Sequence, residues 1–306
     1  MRIGFALPQF GPLAHHPEDI ARFARRAEEL GADSLWVGDR LLAPVEPIVG
    51  YSGTDVIPPE FRAALDPFTV LATAAAATER VQLGTDVINA PWYPPAVLAR
   101  TLTTIDVLSA GRLLVGLGTG WSPEEYEAVD IPMAERGRRL DECLDALDAW
   151  WTRNPVEYRG NHWTVPASHV DVKPASRPHP PVYLAAFTPA AMRRVARRAD
   201  GWLPVVVVPA APGAPDPIAT LAEGLDGVRE AVGRGGRDPA AFDAILRVNP
   251  SSGASVDDIA TTLVRAEREA GIQHVFVDLI YLGKDADQTL DLVRRVLERA
   301  RNQLCA

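Results

Sequence analysis

The sequence predicts an α/β protein, a TIM (β/α)8 barrel with insertion loops at its C-terminal mouth, folded as a single domain over residues 1–306. Three observations carry this. Eight short strand-like runs alternate with eight helical stretches. The runs are almost continuously apolar, as strands are when both faces of a parallel sheet are covered. A length of 306 residues suits eight βα units. An open doubly wound sheet is the runner-up. No linker divides the chain; the Pro- and Ala-rich stretch VPAAPGAPDP, residues 208–217, reads as a loop.

The elements follow in order. IGFAL, residues 3–7, is a buried strand. Residues 17–30 form a helix whose apolar stripe is Ile20, Phe23, Ala27 and Leu30. His16 or the residue before it caps that helix, Pro17 opens it, Glu18 and Asp19 sit in its first turn, and Gly31 stops it. DSLWV is the second strand, and a helix over 67–78 leads into RVQLGTDV, the third. A helix over 95–108 leads into RLLVGLG, the fourth. Leu140, Cys143, Leu144, Leu147 and Trp151 mark the next helix. PVYLAA, GWLPVVVV, FDAILRVN and HVFVDLI are the later strands, separated by helices, with a last helix from Asp285. Residues 41–66 follow the second strand, which puts them at the mouth as a candidate lid.

The formal net charge of −9 and a pI of about 5.2 argue against a nucleic-acid or anionic-membrane partner. The two cysteines, Cys143 on an apolar stripe and Cys305 at the C-terminus, make no disulfide framework or zinc spacing, so a reducing cytoplasm is expected. The apolar runs are too short for a membrane span, and the N-terminus does not read as a signal peptide.

In a barrel, active-site groups come from the C-terminal ends of the strands. Strand one offers Gln9 and Phe10, and strand two Asp39 and Arg40. Strand three offers Asp86 and Asn89, strand four Thr119, Gly120, Trp121 and Ser122, and strand five Thr188 after Ala185, Ala186 and Phe187. LGTDVINAPWYPP puts a charge and an amide into a strand and follows them with Trp92 and Tyr93, read as wall or roof of a pocket. The glycines of GLGTGWSPEEY suit backbone contacts to a phosphate or heterocycle, or turn geometry alone. Thr188 is either a plain helix cap or the start of an anion site. Adjacent His15 and His16 read as a solvated loop, with no metal site expected. Arg193, Arg194, Arg197 and Arg198 read chiefly as a solvated helix face. Asp39 is a structural ion-pair partner of Arg40 or a ligand contact.

Taken together, GADSLWVGDR, LGTDVINAPWYPPAVLARTLTTIDVLSAGRLLVGLGTGWSPEEYEAVD and RRADGWLP resemble the bacterial luciferase-like superfamily of flavin and deazaflavin enzymes. The likeness is closer to members that use coenzyme F-420, an 8-hydroxy-5-deazaflavin. The resemblance implies a flavin-type ring at the mouth, hydride transfer to or from a small organic substrate, and a homodimer. It implies a non-prolyl cis peptide at Asp86–Val87, behind the ring. It places cofactor contacts at Asp39, Thr85, Asp86, Val87, Asn89, Gly118, Thr119, Gly120, Trp121 and the backbone of Ala185, Ala186, Phe187 and Thr188. Phe10, Trp92 and Trp202 fall to the substrate pocket, and Asp39, Arg40 and Tyr93 to the catalytic group. One departure stands out: relatives often carry His after the aspartate, and this chain has Arg40, which cannot trade a proton near neutral pH. Arg40 then anchors an anionic or hydroxylated group on cofactor or substrate, and the proton falls to Asp39, Tyr93 or water. The alternatives are a flavin mononucleotide (FMN) monooxygenase served by a separate flavin reductase, and a flavin-binding protein without turnover.

Overall fold

A computed structural model describes residues 1–209, 213 and 215–305; residues 210–212 and 214 of the loop expected at 208–217 lie outside the described residues. In chain order the elements are β1 (Arg2–Ala6), α1 (Asp19–Glu29), β2 (Ser34–Val37), α2 (Pro67–Ala77), β3 (Gln82–Thr85), β4 (Ile88–Asn89), α3 (Pro95–Leu108), β5 (Leu113–Gly118), α4 (Pro123–Ala128) and α5 (Arg136–Thr152). They continue with β6 (Val156–Arg159), β7 (Thr164–Ser168), β8 (Val182–Leu184), α6 (Pro189–Arg198), β9 (Gly201–Trp202), β10 (Val205–Val208), α7 (Pro217–Arg234), β11 (Asp243–Pro250), α8 (Val256–Ala270), β12 (His274–Val277) and α9 (Ala286–Cys305).

The strands close into a parallel barrel. β1 pairs with both β2 and β12, β3 and β4 together fill one position between β2 and β5, and β8, β9 and β11 complete the ring beside β10. The predicted TIM barrel is therefore present.

Two apolar layers explain the unbroken hydrophobic strands. Outward-facing residues such as Phe5, Leu35, Leu83 and Leu184 pack against the helices. Inward-facing Trp36, Leu114, Tyr183, Leu203, Ile245 and Phe276 fill the barrel. Trp36 stacks on Phe276 with ring centroids 4.4 Å apart. This stack fixes the residue across from it: a Cβ at Gly84 would lie 2.2 Å from the Trp36 ring. At the N-terminal end of the barrel the Trp36 indole donates to Ser34 Oγ (2.8 Å), which is 2.7 Å from His274 Nε2. Burial pushes His274 down to about 3, so it is neutral at physiological pH.

Several boundaries differ from the sequence reading. His16 closes a 3-10 turn over Gly11–His15 through a bond from its N–H to Leu13, so α1 starts at Asp19, with Glu18 as N-cap and no side-chain cap. GWLPVVVV is two strands, because Pro204 has no N–H to give a ladder. An antiparallel hairpin, β6 with β7, was not anticipated; its strands are mostly exposed and carry no apolar run.

The third strand also breaks. β3 stops at Thr85, the Asp86–Val87 peptide is cis, and β4 resumes the pairing with β5 at Ile88. Thr85 spans the gap: its hydroxyl donates to Gly116 O (2.7 Å) and accepts from Gly116 N (2.8 Å).

Residues 41–66 fold over the mouth. Leu65 N donates to Gln9 O (3.1 Å), and Gln9 Nε2 donates to Leu65 O and Gly38 O, each at 2.7 Å. Ile48 N donates to Glu124 Oε1 (2.6 Å), an oxygen pair that also takes the Ser122 hydroxyl. Among the described residues no helix is long and apolar enough to cross a membrane.

The substitution Gly84→Ala drives a methyl into the Trp36 ring. It is expected to lower unfolding stability by about 1–3 kcal/mol in urea titration, the usual cost of overpacking a core; an unchanged midpoint would mean that the interior stack yields easily.

Candidate active site

Three polar groups meet at the C-terminal mouth. The first centres on Asp39, immediately after β2. Its Oδ2 accepts Asn89 N at 2.9 Å, and the Tyr93 hydroxyl lies 3.2 Å from both carboxylate oxygens. Asn89 Nδ2 donates to Asp39 O at 3.3 Å, locking the end of β4 to the end of β2. Phe68 braces the Tyr93 ring edge-on at 5.4 Å. Burial pushes the Asp39 carboxyl up to about 7; the Glu125 and Asp66 carboxylates add to the rise, and the bonds from Asn89 and Tyr93 oppose it. Burial and the adjacent Asp39 charge push the Tyr93 phenol up as well, so Tyr93 stays a donor.

The second group is Arg40, which is 8% exposed. Its guanidinium lies over the Trp121 ring at 4.6 Å and the Phe61 ring at 5.3 Å. Nη1 reaches Glu125 Oε2 at 3.3 Å, while the other Glu125 oxygen accepts Leu41 N (2.8 Å) and Leu42 N (3.3 Å). Among the described residues Nε and Nη2 have no partner. Tyr51 packs on Phe61 and Trp121 at 4.8 and 5.7 Å, and Phe10 on Phe61 at 5.9 Å.

The third group is the floor, at the level where the barrel interior turns from apolar to polar. Arg247 of β11 bonds Asp278 at 2.6 Å and Asp86 at 3.1 Å. Burial pushes Arg247 down, but its two carboxylates outweigh burial and push it up, so it stays charged. Burial raises Asp86 too, with Arg247 opposing. Asn249, two residues on and facing the same way, donates to the Tyr51 hydroxyl at 3.4 Å. Arg247 Nε and Asn249 Oδ1 lack partners among the described residues. Val87 packs against the interior cluster beneath the mouth; a Cβ at Gly118 would lie 2.5 Å from its Cγ2.

The structure thus brings Asp39, Arg40, Tyr93, Asp86, Val87, Asn89, Trp121 and Phe10 to one end of the barrel. Gly120 has φ +63°, and a Cβ there would press on Asn89 Oδ1 at 3.0 Å, so local geometry alone calls for glycine. Thr119 O accepts from the Tyr126 hydroxyl.

Other expected site residues are committed elsewhere. Thr85 is spent on Gly116. Trp92 is buried edge-on to Tyr126 at 6.0 Å. Trp202 does not line a substrate pocket: it pairs with outward-facing Leu184, packs near Gly224 of α7 and donates to Ala186 O at 3.3 Å. Ala185 N is used by Leu117 O, Phe187 is 72% exposed, and Thr188 caps α6 by accepting Ala191 N at 3.3 Å. Arg194 and Arg198 pair with Asp141 and Asp145 of α5. Arg247, Asp278, Asn249, Glu125 and Tyr51 were not anticipated. The first three had a signal, polar residues inside the apolar runs FDAILRVN and HVFVDLI, the same feature that marks Asp86 in LGTDVIN.

A groove of about 750 Å³ between α1, α2 and α3 lies outside the barrel; its lining is mainly alanine and threonine, with no carboxylate.

The sequence profile of luciferase-like monooxygenases matches residues 1–301. The chain belongs to the luciferase-like monooxygenase family. Among its curated relatives, phthiodiolone/phenolphthiodiolone dimycocerosates ketoreductase of Mycobacterium tuberculosis is 30% identical over 264 residues, 84% of this chain and 65% of the relative. An uncharacterized protein of Mycobacterium tuberculosis is 30% identical over 214 residues, 69% of this chain and 71% of the relative. Solved luciferase-like folds superpose along the whole chain. A monooxygenase from Streptomyces bottropensis gives a TM-score of 0.79 at 22% identity, covering 99% of both chains. An F-420-dependent secondary alcohol dehydrogenase, solved with an F-420–acetone adduct, gives 0.74 at 18% identity, covering 98% of this chain and 99% of its own.

Replacing Arg247 by Met strands two buried carboxylates. Arg247→Met is expected to lose about 3–5 kcal/mol of stability at pH 7, the usual cost of breaking a buried pair from one side. The loss should shrink as pH falls and Asp86, raised by burial, takes up a proton; a loss independent of pH between 7 and 4 would contradict the electrostatic account.

Proposed function

We propose that the chain is an oxidoreductase that moves a hydride between coenzyme F-420 and a small organic substrate at the barrel mouth. The observation that carries this reading is the Asp39 carboxyl, held by Asn89 and Tyr93 at the end of β2 with a proton affinity near neutrality. The family membership supports an oxidoreductase, the relative named a ketoreductase supports hydride chemistry, and the fold shared with an F-420-dependent dehydrogenase is compatible with it.

The residues at the mouth fit a polar heterocycle: Arg247 Nε and Asn249 Oδ1 are buried and, among the described residues, unmatched there. Val87, Asn89, Gly118, Thr119, Gly120 and Trp121 would hold the ring and its side chain. When bound, the deazaflavin supplies or accepts a hydride and reacts poorly with oxygen. Asp39 gives a proton to, or takes one from, the substrate heteroatom next to the carbon that gains or loses the hydride. Tyr93 donates to Asp39 and fixes its orientation. Arg40 holds position and charge but does not exchange its proton. Phe10, Phe61 and Tyr51 wall off water.

Titration with F-420 and with FMN, followed by absorbance, tests the reading. F-420 is expected to saturate the protein, and Asp39→Asn to keep that affinity while turnover on a panel of enones, imines and quinones falls by about 100-fold or more. Substrate reduction needs Asp39 protonated, so its rate should fall as pH rises through about 7, and the reverse oxidation should rise over the same range. Asp39→Asn should erase that step. Tight FMN binding with no F-420 binding would sink the deazaflavin reading in favour of the monooxygenase.

A further inference from the structure

Arg40 is buried, yet among the described residues only one of its three guanidinium nitrogens has a polar partner, Nη1 with Glu125 at 3.3 Å. The two unmatched atoms, Nε and Nη2, form one edge of the guanidinium plane. Their N–H bonds run parallel, spaced to meet the two oxygens of a single carboxylate. An unmet buried donor is destabilising, so an edge left bare in this way is a place for an acceptor that arrives. Trp121 and Phe61 lie against the guanidinium, at 4.6 and 5.3 Å, and hold the plane in place. Tyr51 and Phe10 extend the same aromatic wall. The neighbouring residue in the chain is Asp39.

We propose that the Nε–Nη2 edge of Arg40 binds the carboxylate of the substrate, and that the substrate class is an aromatic or otherwise apolar organic acid. The charge meets the fork and the apolar body lies along Phe10, Phe61 and Trp121. This rests on the reading of the mouth as the catalytic site. Phe61 lies against the Arg40 guanidinium and Tyr51 packs on Phe61 and Trp121, both carried by residues 41–66, so the acid enters as that segment lifts. The contact of the Tyr51 hydroxyl with Asn249, 3.4 Å long, is a weak tie for it to break. A carboxylate or phosphate on the cofactor's tail has the same chemistry as a substrate acid, and the experiment separates the two.

The probes are benzoate and its neutral counterpart benzamide, titrated against the full chain by quenching of tryptophan emission, with F-420 and FMN affinities measured in parallel. The variants are Arg40→Lys, which keeps the charge facing Glu125 but loses the fork, and the double variant Arg40→Gln/Glu125→Gln, which removes both charges and is read if the lysine variant does not fold. Benzoate is expected to saturate the wild type, benzamide to bind at least about tenfold more weakly, and either variant to weaken benzoate by at least about tenfold while sparing benzamide and both cofactors. No saturable benzoate binding, equal binding of the two probes, or benzoate binding unchanged in the variants overturns the proposal. So does a variant that weakens F-420 or FMN and leaves benzoate alone, because the edge then serves the cofactor. A wild type that discriminates benzoate from benzamide through Arg40 but binds neither cofactor keeps the acid site and removes the oxidoreductase reading instead.

Discussion

One buried guanidinium, shared by two carboxylates that reach it from different strands, sets the level at which this barrel stops being a hydrophobic core. Arg247 of β11 joins Asp86, where β3 ends, to Asp278, just past β12. Below it the interior is packed by Trp36, Phe276 and their neighbours. Above it lie the unmatched atoms, Asn249 and the underside of Tyr51. Such a cluster is a poor source of net stability, since desolvating three charges offsets most of their attraction. Its consequence is positional: it holds the end of β3 against β11 and β12, and so fixes where Val87 and Asn89 emerge. Asn89 in turn carries Asp39 through its N–H and side-chain amide.

Much of this was legible in the sequence. Alternating apolar strands and amphipathic helices give the barrel, and Asp86 inside an apolar run marks the floor. Asp39, Arg40, Asn89 and Tyr93 converge because strand ends converge in any such barrel. What resisted reading depends on facing rather than on identity. Thr85 looks like a ligand until the gap at Gly116 is known, and its hydroxyl is needed there. Trp202 turns outward because its register pairs it with Leu184; a shift by one residue would turn it inward, and composition carries no trace of that choice. Arg247 and Asp278 were visible as charges in apolar strands, but only the closed barrel brings them to Asp86.

The two residues after β2 divide the work. Asp39 sits where burial brings a carboxyl near neutrality, and its partners are donors that steady it without discharging it. Arg40, next in the chain, is tied to Glu125 and stacked on aromatic rings, so it offers position and a hydrogen-bonding edge rather than a mobile proton. Glu125 and Glu124 also hold the start of residues 41–66 through backbone N–H groups, which couples the site to the segment that covers it.

The most direct measurement of the central claim is a crystal structure with F-420 bound. The account predicts the ring at the barrel mouth above Val87, within hydrogen-bonding reach of Arg247 Nε or Asn249 Oδ1, with Tyr51 moved off Asn249 and Asp39 facing the substrate side of the ring. A ring bound elsewhere, as in the groove between α1, α2 and α3, or at the mouth with Arg247 Nε, Asn249 and Tyr51 unchanged, would contradict it.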